Sequence, residues 1–125
     1  MPPIPRPSPG SVARFRAALA TEPAAVERPM FGCPCAFVGG NMTAGLYGDD
    51  WFVRLPAEER AGLLAEDGAR PFAPMPGRPM REYVVLPSSA VADDSALAHW
   101  LARAVTFALT LPAKRPARGS GATTR

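Results

Sequence analysis

The chain has 125 residues, a formal net charge of +3, 47% hydrophobic residues and 20% charged residues. That length fits one domain, and that balance describes a folding chain rather than a disordered one, although 16 residues are proline. No stretch approaches the ~18–20 continuous apolar residues of a spanning helix, and residues 1–10 lack the apolar core of a secretory signal.

Residues 1–10 (MPPIPRPSPG) are expected to form an unstructured, proline-rich lead-in. Ser11 is a candidate helix cap, with Val12, Phe15 and Leu19 following at helical spacing until Pro23 stops the helix. From Arg28 to Leu55 the period falls to two. Four short strands are expected around Met30–Phe31, Ala36–Val38, Met42–Leu46 and Trp51–Leu55. Gly39–Gly40 supplies a tight turn, because glycine reaches positive φ without a Cβ clash, and residues 48–50 supply another. In the third strand Met42, Ala44 and Leu46 alternate with Asn41, Thr43, Gly45 and Tyr47, which predicts one buried and one exposed face. Short links between consecutive strands predict an antiparallel meander.

Pro56 opens a second helix with Glu58 and Glu59 in its positive first turn. Its buried face is expected to carry Ala57, Ala61 and Leu64, with Leu63 flanking and Gly68 as the stop. A connection rich in proline leads from residue 69 to Met80, and a strand is expected over Arg81–Leu86. The last helix is the clearest element. Asp93 or Asp94 caps it, and Leu97, Trp100, Leu101, Ala104, Val105, Ala108 and Leu111 recur at three and four residues. His99, Arg103, Thr106 and Thr110 form its polar stripe. The sum is an α+β fold in two layers: an antiparallel β-sheet of about five strands with helices packed on one face. Three segments are expected, an unstructured 1–10, a domain over 11–112 and an unstructured basic tail over 113–125.

The positive charge sits at the ends. Arg6 lies in the lead-in and Lys114, Arg115, Arg118 and Arg125 in the tail, which leaves nine arginines against eleven acids between residues 11 and 112, or −2 (9 − 11). A solvated tail accounts for this, and the alternative is a phosphate-binding arm with nucleic acid as partner. Cys33 and Cys35 at C-x-C spacing suggest a thiol or metal site, but a closed zinc site needs four ligands and His99 falls on a polar helix face. A disulfide at that spacing is strained, and a cytoplasmic location, which is expected, keeps thiols reduced. No serine in a nucleophile-elbow setting and no phosphate loop is present, so no catalytic residue and no cofactor is expected. The acid pairs at 49–50, 58–59, 66–67 and 93–94 fit turns and caps. The connection is the candidate interaction surface. Pro74, Pro76 and Pro79 stiffen it while Met75, Arg78, Met80 and Arg81 offer apolar and cationic contacts, which suits binding at low ordering cost.

The runs RPMFGCP (28–34), GNMTAGLYGD (40–49), FVRL (52–55) and APMPGRPMREY (73–83), with the final amphipathic helix, resemble the TfoX N-terminal domain family over residues 12–112. That family is named for a bacterial regulator of natural competence. The resemblance implies a compact two-layer α+β fold with no established catalytic residues. The missing catalytic constellation and the stiff connection with its Met and Arg residues lead to the expectation of a non-catalytic regulatory module that binds a protein partner or, as a homodimer, itself. Family regulators often carry a second, helical domain after this one, and 125 residues are expected to hold the first alone. Cys35 stands where the family is expected to have another residue.

Overall fold

A computed structural model describes residues 5–30, 32–74 and 80–114. Among them the order is α1 (Pro9–Leu19), β1 (Val26–Met30), β2 (Cys33–Val38), β3 (Asn41–Tyr47), β4 (Asp50–Arg54), α2 (Ala57–Leu64), β5 (Arg70–Pro71), β6 (Tyr83–Val85), α3 (Ser88–Val91) and α4 (Asp94–Leu109). The fold is α+β, with every strand pairing antiparallel in the spatial order β1-β2-β3-β4-β6-β5. The sheet thus has six strands among the described residues rather than about five. The extra one is β5, two residues long and ending in a proline.

Helix α1 starts before Ser11. Ser8 is its cap, accepting from the Ser11 N–H at 3.2 Å, and Pro9 and Gly10 are already helical. Proline at a first helical position loses no bond, because that N–H has no intrahelical acceptor. The segment before α1 lies over the β3–β4 turn. The Ser8 N–H donates to Asp49 Oδ1 at 2.7 Å, and a Cβ on Gly48, whose φ is +63°, would stand 2.9 Å from Pro5. At the other end of β3, the Lys114 N–H donates to the Gly39 carbonyl at 2.7 Å and Asn41 Nδ2 donates to the Pro112 carbonyl at 3.0 Å.

The main core lies between the sheet and the helices. Ala36, Val38, Ala44, Leu46, Trp51, Val53, Leu55, Val84 and Leu86 face Phe15 and Leu19 of α1 and Leu97, Leu101, Ala104, Val105 and Ala108 of α4. Phe15 meets Trp51 edge to face with centroids 5.1 Å apart. On α2 the buried residue is Leu63, while Leu64 stands exposed, the reverse of the expected assignment. The helix is held at its start by a two-pronged pair, Arg103 of α4 donating to Glu59 at 2.8 and 2.6 Å. Asp93 caps α4, accepting from the Ser95 N–H at 3.0 Å.

One register shift remodels the sheet. Ala36 pairs with Ala44, but Phe37 pairs with Met42, so Thr43 is an extra residue in β3. Its buried hydroxyl donates to the Asn41 carbonyl at 3.0 Å. The extra residue turns Met42 to the face opposite Ala44 and Leu46, and strict alternation therefore fails at this point.

Candidate functional site

That opposite face, called here the open side, carries a second apolar cluster of Cys35, Met42, Phe52, Phe72 and Val85, with Phe37, Tyr47, Met80 and Tyr83 packed at its margin. No helix among the described residues supplies it. Phe52 and Phe72 stack with centroids 4.1 Å apart and planes 7° from parallel, and Tyr47 and Tyr83 meet the stack edge-on at 5.6 and 5.8 Å. Gly45 makes this possible, since a Cβ there would lie 2.5 Å from Cys35 Sγ and 2.7 Å from the Phe52 ring.

The connection after β5 is fastened onto this cluster. Phe72 inserts its ring, its carbonyl accepts the Met80 N–H at 2.8 Å, and its own N–H donates to the Tyr83 carbonyl. The Tyr47 hydroxyl donates to the Pro74 carbonyl at 3.3 Å, and the Tyr83 hydroxyl reaches across β4 to the Met42 carbonyl at 2.8 Å. Burial pushes the Tyr83 hydroxyl above its ordinary pKa, so it stays a donor. Beside the stack is a cleft of about 270 Å³ lined in part by Tyr47, Asp50, Phe52, Arg70 and Phe72, with an Arg70–Asp50 pair of 2.5 Å at its rim.

Of the four residues expected to form a contact surface, Met80 is half-buried against the open-side cluster and Arg81 is exposed. Met75 and Arg78 lie outside the described residues. The cysteines do not converge: Cys33 belongs to the helix-side core and Cys35 to the open-side cluster. Both are buried thiols, and burial first, then the nearby Cys33 thiol, pushes Cys35 up to about 12. A thiol so shifted is a poor nucleophile and a poor metal ligand at neutral pH. Among the described residues no group of three or more His, Cys, Asp or Glu side chains could hold a metal. His99 is exposed against Trp100. The acids work in structure: Asp49 is held below its ordinary range chiefly by the Ser8 N–H, and Glu59 chiefly by Arg103. The aromatic cluster was missed from sequence, although Phe52 and Tyr83 are apolar at positions that alternation assigns to the solvent side.

A family model, the TfoX N-terminal domain, matches residues 17–108, from within α1 to the last turn of α4. The chain belongs to that family. No curated protein and no solved structure matches it. For this TfoX N-terminal domain, family membership carries the fold, and a reaction or partner has to be argued from the site. No helix among the described residues is long and apolar enough to cross a membrane.

Proposed function

We propose that this TfoX N-terminal domain is a non-catalytic regulatory module of the bacterial cytoplasm. It binds a protein partner through the connection that carries Met75, Arg78, Met80 and Arg81, and through that partner it adjusts gene expression, competence included. The observation that carries the reading is the fastening of the connection at Phe72, Pro74, Met80 and Tyr83 onto a helix-free side of the sheet. A loop clamped at both ends presents its intervening residues with little ordering cost on binding. Five arginine–carboxylate pairs, set apart from one another around α1, α2, β4 and β5, support the same reading.

Complementation in the host tests it. A strain lacking the gene, supplied with a chain carrying Arg78→Glu and Arg81→Glu, should show the transcript profile of the deletion although the variant melts like the wild type. Full complementation by the variant, or a deletion without any transcript change, overturns the proposal. A second reading draws on the anchorage of Lys114 at Gly39, from which the basic residues Arg115, Arg118 and Arg125 continue. As a nucleic-acid arm, this tail gives binding that falls steeply with salt and vanishes on deletion of residues 115–125; no mobility shift at ~50 mM salt removes it.

A further inference from the structure

Strand β1 is the least sheltered element of the sheet. All five of its residues are exposed, and it lies at the end of the strand order with β2 as its sheet neighbour. Its alternation sorts its side chains between the two sides. Glu27 turns to the helix side, where Arg16 of α1 donates to it at 2.9 to 3.2 Å. Val26 and Arg28 therefore turn to the open side, with Phe37 and Cys35 as their register partners, while Met30 is paired with Cys33 of the helix-side core. Val26 is 57% exposed and Met30 38%, and they are two of the four large apolar side chains that stand exposed among the described residues.

Between them lies a cation held by a ring rather than by an acid. Arg14, Arg16, Arg54, Arg70 and Arg103 each hold a carboxylate, and Arg60 donates to the Leu55 carbonyl. Arg28 instead lies over the Phe37 ring, 6.0 Å from its centroid, with no described carboxylate paired to it. Stacking on an aromatic face holds a guanidinium in place and leaves its N–H groups open to an acid.

We infer that β1 receives an extended segment of another protein, added beside it as a further strand, that presents an apolar and an acidic residue two positions apart. This rests on the protein-binding reading above and adds to it a second surface and a partner chemistry. Same-side residues of a strand repeat every ~7 Å, so a segment of that pattern sets its acid opposite Arg28 and its apolar side chain opposite Val26. Main-chain bonds supply affinity in such an addition and the side chains supply specificity. Pro29 has no N–H to give, which keeps the ladder short and throws the selection onto Arg28. A second copy of this chain fits worse. On that side β1 offers Val26 and Arg28 without an acid, and a two-fold pairing centred at Arg28 opposes like charges.

Two pools of end-blocked heptapeptides test the inference on the full chain, both with Val, Leu or Phe at positions two and six. One pool has Glu at position four and the other Lys. The Glu pool should shift the amide resonances of Val26, Glu27, Arg28 and Met30, and should bind at least about tenfold more tightly than the Lys pool, a margin of ~1.4 kcal/mol. In Arg28→Glu the preference should invert, and in Arg28→Lys it should persist in weaker form. All of these side chains are exposed, so each variant should melt as the wild type does. Equal affinity for the two pools, shifts confined to other strands, or no shift from either pool overturns the inference. So does a concentration-dependent dimer abolished by Arg28→Glu. The peptide readout is independent of any transcript, so a failed complementation test leaves it standing, and the reverse holds as well.

Discussion

Gly45 is the residue on which the open-side cluster depends. It pairs with Cys35 on one side and Phe52 on the other, and its missing Cβ is the space into which both side chains lean. Gly45→Ala should cost about 1–3 kcal/mol, as overpacking of a closed core does. Thermal melts check this, and adding Cys35→Ala should recover part of the loss, because the two changes share one contact. Cys35 also predicts a pH dependence. Its pKa is 9.0 in an exposed setting and about 12 in the fold, so above pH 9 the unfolded chain loses a proton that the folded chain retains. Stability should therefore fall as pH rises from about 9 towards 12, and Cys35→Ala should flatten that slope in denaturant titrations.

The elements that could be read from sequence were those with a long, one-sided period. Helix α4 declares itself through Leu97, Leu101, Ala104, Val105 and Ala108, all buried as expected, and the Gly39–Gly40 turn through two residues of positive φ. Two short elements left no such trace: β5 is two residues and α3 a single turn. The assignment on α2 failed because eight residues around Gly62 give the period too little length to separate Leu63 from Leu64. Local chemistry allows two caps for α1, and Pro9 decides for Ser8. In β3 the composition is the same whether or not Thr43 bulges, so the partition of Met42 from Ala44 is a property of pairing and not of pattern. The candidate site suffered similarly. The stiffness of the connection is visible in its prolines, whereas its anchor, Phe72, needs the stack on Phe52 to be recognised. Phe72→Ala should cost about 3–5 kcal/mol as a core aromatic truncation, and amide exchange should then accelerate at Met80 and Tyr83 ahead of β2 and β3.

At the scale of the molecule, the sheet has an apolar surface on each side, and the helices among the described residues roof only one. The arrangement separates a helix-side core from an open-side cluster onto which the connection after β5 is fastened. The chain ends contribute to the first of these. Truncation after Leu111 removes the carbonyl that accepts from Asn41, a nearly buried amide, and should destabilise the domain by about 1–3 kcal/mol, the cost of leaving such a donor without a partner. Chemical denaturation of the truncated and full-length chains measures the difference.

The tethering of residues 5–8 to one end of β3 and of residues 112–114 to the other sets the spacing of anything joined to this domain. Seven residues of strand hold the two exits about 20 Å apart. A dye pair placed at Pro5 and Lys114 would therefore report in energy transfer on whether either tether had come loose. A second module fused to the tail would act from the opposite end of the domain to one fused at the front.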